Sequence, residues 1–363
     1  MRVNMKLSII IPAFNVEKYI LDTLSSLKNQ TDNNFEAIIV DDGSTDATNR
    51  VVAEFIRSNN IVNSKLIHQE NRGESSARNK GISEASGDYI LFLDGDDFLD
   101  NQLVEYVLKI LEKESYDILC WKFDQVLPGR TIFYKFTDLY PYQKDIESGP
   151  LVLNDILDNR MRICIGSAVY KKELLSENHI LFSENYYSGA DLEFTYKALI
   201  EADTVKFLNK TLFYYVQHEG SKTYSYNIFK FHSVLALQSV SDYIDLKNNS
   251  ELQEISNKLR YSAIVDDYLF NLKSCTNALC SQGLSARKAV KKVSEDLTNT
   301  LPEVKKVIEN LIENHPREKI KEKVRIQIFS LSPYLYYVLN RLGVCLSNRI
   351  RNRSIKNKNH LRI

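Results

Sequence analysis

Tyr89-Ile-Leu-Phe-Leu-Asp-Gly-Asp-Asp97 decides how this chain folds. Five apolar residues run without polar alternation, which suits a strand buried on both faces. The run stops at once on three carboxylates and a glycine. Strands of this kind belong to parallel sheets covered by helices, where ligands bind outside the carboxyl ends of the strands.

The same alternation extends upstream. Leu7–Ile11 reads as a short buried strand ended by Pro12, and Ile20, Leu21, Leu24 and Leu27 follow at helical spacing. Phe35–Val40 reads as a second strand, stopped by Asp41-Asp42-Gly43-Ser44, and Val51, Val52, Phe55 and Ile56 mark the next helix. Lys65–Gln69 is a third strand, Asn71-Arg72-Gly73 a turn, and a short helix runs through Ala77, Ile82 and Ala85. After Asp97 a helix presents Leu103, Val104, Val107, Leu108 and Leu111. Alternating strands and helices at this spacing predict an α/β fold, a mostly parallel sheet flanked by helices.

Downstream the pattern mixes. Ile118–Phe123 and Thr131–Phe136 read as strands, Asp191–Ala202 as a helix, and Thr204–Leu208 and Leu212–Val216 as two more strands. Beyond about residue 225 strand signals give way to amphipathic stretches at 229–245, 251–279, 285–297 and 303–312. The expected organisation is a catalytic domain over 1–222, with halves of about 1–100 and 101–222, a helical module over 223–314, and a basic C-terminal segment over 315–363.

The residues at the predicted strand ends carry the chemistry. Asn15 follows the first strand, Asp41 and Asp42 the second, and Asp94, Asp96 and Asp97 the fourth. Carboxylates gathered at one sheet edge repel one another unless a cation joins them. A hard divalent ion, Mn2+ or Mg2+, suits such a set, because it takes one or two carboxylates and completes its shell with substrate phosphates. A solvated acidic turn or a helix cap is the plainer alternative. No G-x-G-x-x-G follows the first strand, no G-x-x-x-x-G-K-S/T exists, and no G-x-S-x-G is present. A Rossmann dinucleotide site, a P-loop and a nucleophile elbow are thereby excluded.

Four stretches, in order and at matching spacing, give the chain a resemblance to the inverting glycosyltransferases of family 2, which have the GT-A fold. They are Ser8–Asn15, Val40–Asp46, Asn71–Gly81 and Gly87–Asp97. The resemblance implies a nucleotide-diphospho-sugar donor, a uridine one through Asp42, whose counterpart accepts from the uracil N3–H. It implies that Pro12, Phe14 and Asn15 hold the nucleoside, with Asp41 beside Asp42 and Arg78 on the nucleotide side, braced by Asn79. Asp94 and Asp96 match the family's D-x-D, Asp96 being the implied direct metal ligand, and Asp97 would bind metal or a sugar hydroxyl. Asp191 in Ser188-Gly-Ala-Asp-Leu-Glu-Phe194 matches the family's general base, although Ala190 stands where an acidic residue is usual. Without the resemblance, Asp191 also reads as the N-cap of the helix that follows. His218 in Tyr214-Tyr-Val-Gln-His-Glu-Gly-Ser221 matches a histidine that reaches the metal or the diphosphate. The implied acceptor is a saccharide or lipid-linked hydroxyl in cell-surface glycan synthesis. A non-catalytic nucleotide-sugar-binding scaffold is the rival that Ala190 keeps open, and a sugar nucleotidyltransferase lacks its Gly-rich basic loop here.

Composition sets the remaining bounds. The chain has 363 residues, 44% hydrophobic and 26% charged, enough for a sizeable core. Its net charge of zero hides an asymmetry. From His315 onward there are twelve Lys or Arg and two Glu, a balance of +10 that leaves −10 on the rest. Five cysteines without C-x-x-C spacing point to reduced thiols rather than zinc or disulfides. The apolar run at Leu7–Ile11 is too short for a signal peptide, and no membrane-length apolar run exists, so a cytoplasmic location is expected, at the inner face of the plasma membrane if the tail binds there. The tail has two readings: an amphipathic segment over Ile326–Leu346 lying with its basic cluster on an anionic membrane, or a packed helix with a solvated end. No nucleic-acid-binding module accompanies the basic residues, so nucleic acid is not an expected partner.

Overall fold

The computed structural model describes residues 6–59, 63–140, 144–218, 225–316 and 320–342. They fall into two compact units. The first comprises residues up to 221 together with His232–Ala263; the second comprises residues 222–231 and those from Ile264 onward.

The first unit is built on a sheet. Strands β1 (Leu7–Ala13) and β2 (Phe35–Asp41) are buried at every position, the polar Ser8, Glu36 and Asp41 included. Each fully buried Leu or Ile contributes about 1.5–3 kcal/mol. Between them α1 (Ile20–Lys28) buries Ile20, Thr23, Leu24 and Leu27. Leu21, expected on the same face, is exposed, because one residue turns a helix by about 100°. Then come α2 (Thr48–Asn59), β3 (Ser64–His68), α3 (Glu74–Glu84) and β4 (Tyr89–Phe92). Helix α3 lies tight on β1: a Cβ at Gly81 would fall 2.2 Å from Ile10 Cγ2, so only glycine permits the approach.

Next along the chain are β5 (Phe98–Leu99), α4 (Leu103–Leu111), β6 (Ile118–Leu127), β7 (Thr131–Tyr134), α5 (Phe136–Leu139), β8 (Ile146–Glu147) and α6 (Gly149–Leu157). They lead to β9 (Ala168–Lys171), α7 (Lys172–Glu177), α8 (Ala190–Glu201) and β10 (Val205–Val216). The main order of the sheet is β3-β2-β1-β4-β9-β6-β10-β5. Strands β3, β2, β1 and β4 run parallel, and β10 is parallel to β6. Strand β9 is antiparallel to both β4 and β6 and joins the two parallel sets. The two strands expected over 204–216 are one, β10, whose pairing to β6 shifts between Leu208 and Phe213. The polar Asn209-Lys210 pair sits in that irregularity rather than in a turn.

Helices α9 (His232–Leu246) and α10 (Gln253–Lys258) and the π-helical turn Leu259–Ala263 complete this unit. Gly189, ahead of α8, explains the close fit of α9: its Cβ would lie 2.6 Å from Ser233 Cα.

The second unit is helical. It holds α11 (Ile264–Ser281), α12 (Ala286–Thr300), α13 (Pro302–Glu313), α14 (Ile320–Leu331) and α15 (residues 333–342). Ser285 caps α12 through Lys288 N–H, and Pro302 opens α13 where a missing N–H costs nothing. The stretch expected as one helix over 251–279 is broken at the π-helical turn, where the chain passes between units. No described helix is long and apolar enough to cross a membrane.

Candidate functional site

The carboxyl ends of β1, β2 and β4 lie side by side, since Ala13 pairs with Asp41 and Ile10 with Phe92. The loops that leave them are joined by hydrogen bonds. Asn15 sits at φ 53°, a left-handed conformation that asparagine tolerates. Its side-chain carbonyl accepts from Thr45 N–H at 2.9 Å and Asp46 N–H at 3.3 Å, and its own N–H donates to Ser44 Oγ at 3.1 Å. Val16 N–H donates to Thr48 Oγ1 at 2.9 Å, and Glu17 Oε2 accepts from Ala47 N–H at 2.8 Å. Pro12 is buried within β1, whereas Phe14 stands 45% exposed on the loop.

At the end of β2 both carboxylates are buried and well served with donors. Asp41 accepts from Ser44 N–H at 3.0 Å and Asn49 Nδ2 at 2.8 Å, and lies 2.9 Å from His68 Nδ1. Burial pushes its carboxyl up, but the hydrogen bonds from Ser44, His68 and Asn49 win and hold it below the usual aspartate range. Asp42 Oδ1 accepts from Arg72 N–H at 2.9 Å and Gln69 Nε2 at 2.7 Å, and Oδ2 from Gly73 N–H at 2.8 Å. Three donors on a carboxylate with about four acceptor positions leave room for one more. Gly73, at φ 93°, has open space where a Cβ would be.

At the end of β4 the balance differs. Arg78, buried on α3, donates to Asp94 Oδ1 at 2.6 Å and pairs with Glu74 one turn away. Its guanidinium carbon lies 5.1 Å from the centre of the Phe182 ring, and its Nε has no hydrogen-bond partner. Burial disfavours its charge, yet Glu74, Asp94 and Asp191 together hold it firmly protonated. Burial, opposed by Arg78 and reinforced by the Glu74 and Asp96 charges, pushes the Asp94 carboxyl up to about 6. Asp97 is driven well above the aspartate range by burial and by the Asp96 and Asp94 charges. Its Oδ1 accepts from Val216 N–H at 2.8 Å, which ties this loop to the end of β10. The Thr23 hydroxyl of α1 lies 2.7 Å from Asp97 O and 3.0 Å from Gly95 O, holding the turn from beneath.

His218 meets this loop from the far end of β10. Its Nε2 is 2.9 Å from Asp96 Oδ2, and its ring stacks on Tyr19 at 4.2 Å between centroids. Asp191 is exposed in the first turn of α8. It does not cap that helix, since the N-cap is Gly189 at φ 90°. Asn79 braces α3 against the approach to α8: its side chain donates to Phe182 O at 2.8 Å and accepts from Phe182 N–H at 2.9 Å.

The structure therefore gathers Asp94, Asp96, Arg78 and His218 by direct contacts, with Asp42 one loop away and Asp191 within electrostatic reach of Arg78. Asn15, Asp41 and Asp97 each carry bracing hydrogen bonds. Glu74, Tyr19 and Thr23 join the site as well, and sequence reasoning misses all three. Only Glu74 leaves a trace in the sequence, four residues before Arg78 on a helix.

The geometry has relatives. Residues 8–178 match the model of glycosyl transferase family 2. The chain is 29% identical over 257 residues to the putative glycosyltransferase EpsH of Bacillus subtilis, covering 69% of this chain and 72% of EpsH. It is 31% identical over 220 residues to the poly(ribitol-phosphate) beta-N-acetylglucosaminyltransferase TarS of Staphylococcus aureus, covering 60% of this chain but only 36% of TarS. The crystal structure of S. aureus TarS 1–349 in complex with UDP-GlcNAc has the same fold, with a TM-score of 0.60 at 24% identity over 85% of this chain and 89% of that one. Residues 8–178, carried on the α/β sheet, thus resemble glycosyl transferase family 2.

Proposed function

We propose that this protein transfers a sugar from a uridine-diphosphate sugar to an acceptor hydroxyl, with inversion at the anomeric carbon, in the synthesis of a cell-surface glycan. The observation that carries the proposal is the contact set at the end of β4: Asp94 on buried Arg78, and Asp96 on His218, beside the open space at Gly73. UDP-GlcNAc is the first donor to try, because it is the ligand of the TarS 1–349 complex.

The residues present fit a divalent cation. Carboxylates crowd one loop, and an imidazole stands against the middle one. Among the described residues no group of three or more His, Cys, Asp or Glu is placed to hold a metal ion by itself. That suits an ion which takes only a few protein ligands and its other oxygens from a diphosphate. Asp96 and His218 would hold Mn2+ or Mg2+, with Asp94 beside them, and the bound ion would supply charge neutralisation at the departing diphosphate.

The chain's own groups have distinct tasks in this reading. Asp42 accepts from uracil N3–H with its remaining lone pair, and Phe14 offers an exposed ring to the base. Asp191 takes the proton as the acceptor oxygen bonds to the anomeric carbon. The old carbon–oxygen bond breaks and its electron pair leaves with the diphosphate. General-base help of this kind is worth about 10²- to 10⁴-fold.

Transfer of labelled sugar tests the assignment. Asp191→Asn should bind UDP as the parent does while turnover falls by about 10²-fold or more. A fully active Asp191→Asn enzyme would remove Asp191 from the reaction. Failure of the parent chain to turn over any UDP-sugar, with UDP still bound, would favour the binding-scaffold reading that Ala190 suggests.

A further inference from the structure

Helix α15 (residues 333–342) is amphipathic the wrong way round for a water-facing helix. Its tyrosines are its anchors: Tyr336 and Tyr337 are buried. The Tyr337 hydroxyl donates to Asn277 Oδ1 of α11 at 2.7 Å, and the Tyr336 ring lies edge-on to Phe329 of α14 at 6.0 Å. What remains outside is apolar apart from Arg341. Tyr334, Leu335, Leu339 and Leu342 are exposed, Leu342 by 55%, and Leu331 at the end of α14 is 81% exposed. Leu335, Leu339 and Leu342 recur at intervals of four and three, so they share one face of the helix. Single exposed leucines are ordinary, but a row of them marks a surface that something covers.

The sequence beyond this row indicates what covers it. From Pro333 to the end there are seven Lys or Arg, six of them after Leu342, and no Asp or Glu. Those six are Arg349, Arg351, Arg353, Lys356, Lys358 and Arg362, and they lie outside the described residues. Two copies of so cationic a segment would repel one another. Nucleic acid would satisfy the charge but leave the leucines uncovered. A bilayer rich in anionic phospholipid satisfies both, accepting the leucines at the acyl boundary and the cations at the headgroups.

We infer that the face of Leu335, Leu339 and Leu342 is a docking surface for an anionic membrane, whose charge the cations that follow in the sequence complement. The inference does not depend on the transfer reaction, since it rests on residues outside the contact set of Arg78, Asp94, Asp96 and His218.

Flotation of the full chain with vesicles tests it. Phosphatidylglycerol–phosphatidylcholine vesicles should carry the protein, phosphatidylcholine vesicles should not, and half-molar salt should weaken the binding. Arg349→Gln with Arg351→Gln and Arg353→Gln should lower the partition coefficient by about a hundredfold. Leu335→Glu with Leu339→Glu, both at exposed positions that leave the tyrosine anchors in place, should lower it by at least about tenfold. UDP binding in solution should be unchanged in both variants. No binding to anionic vesicles, or binding that survives Leu335→Glu with Leu339→Glu, would overturn the inference. So would a lipid-free dimer that this pair of substitutions dissociates, or a preference for oligonucleotide over vesicles.

Discussion

The loops that follow β2 and β4 leave the same sheet edge, and both carry adjacent carboxylates, yet their charge is managed in opposite ways. After β2, Asp41 and Asp42 are met by N–H and side-chain donors from Ser44, Asn49, Gln69, Arg72 and Gly73. The carboxylates of that loop are held by donors from the chain itself. After β4, Asp94 meets a buried arginine, Asp96 a histidine and Asp97 a backbone N–H, and Asp94 and Asp97 are pushed toward their neutral forms. That loop holds more negative charge than the protein alone balances. A carboxylate held in place by such donors suits acceptance from the N–H of a base, and unbalanced charge suits a cation that comes with the substrate.

Four substitutions sharpen or break this contrast, beginning with the largest effect. Arg78→Met should destabilise the fold by about 3 kcal/mol in urea denaturation, because buried Arg78 is the cation that pairs with the partly exposed Asp94 and Glu74. Mn2+ should restore part of that loss in Arg78→Met, and indifference to Mn2+ would count against a cation-demanding loop. Asp42→Asn should weaken UDP binding by about 1.5–3 kcal/mol in calorimetry, since a charged hydrogen bond to the uracil is lost. An unchanged affinity would end the role of the β2 loop in base recognition.

Glu36 probes the same sheet from its other end. Its Oε1 accepts from Ser8 Oγ at 2.6 Å, Ser86 N–H at 2.6 Å and Ser86 Oγ at 2.8 Å. Burial raises its carboxyl, but these bonds, from Ser8 and then Ser86, together with Lys6, hold it down at about 2. The unfolded value is about 4.3. A depressed carboxylate stabilises the fold fully above the unfolded value, and that stabilisation is lost as pH falls toward 2. Glu36→Gln should therefore cost about 1–3 kcal/mol at neutral pH, and the gap to the parent should close between pH 4 and pH 2. A pH-independent gap would mean that packing, not charge, sets the value of Glu36. Phe14→Ala should give the smallest effect: stability within about 0.5 kcal/mol of the parent, and nucleotide affinity lower by about 0.5–1.5 kcal/mol if its ring meets the base.

The β4 loop was legible because an apolar run that halts on Asp94-Gly95-Asp96-Asp97 concentrates charge at the end of a buried strand, where unpaired carboxylates are costly. Helix α4 was legible for a simpler reason, its five apolar residues all turning inward. Strand β9 was not, because Ala168–Lys171 is four residues long and owes its place to pairing with β4 and β6, both distant in sequence. Thr23 and Tyr19 gave no sign of their roles. A hydroxyl on α1 that steadies Gly95 and a ring that backs His218 are contacts made only by folding. Asp41 and Asp97 are the converse case, since their residue types suggested ligands and their hydrogen bonds show how much of each carboxylate serves the loops themselves. The outward leucines of α15 were hidden too, because amphipathic spacing locates an apolar face without saying which way it turns.

Calorimetric titration of UDP with and without Mn2+, on the parent and on Asp96→Ala, tests the central contrast most directly. UDP should bind tightly only with Mn2+, more tightly than GDP or CMP, and Asp96→Ala should abolish the Mn2+-dependent part while leaving the fold intact. Binding of UDP that is equally strong without the ion, or in Asp96→Ala, would contradict it.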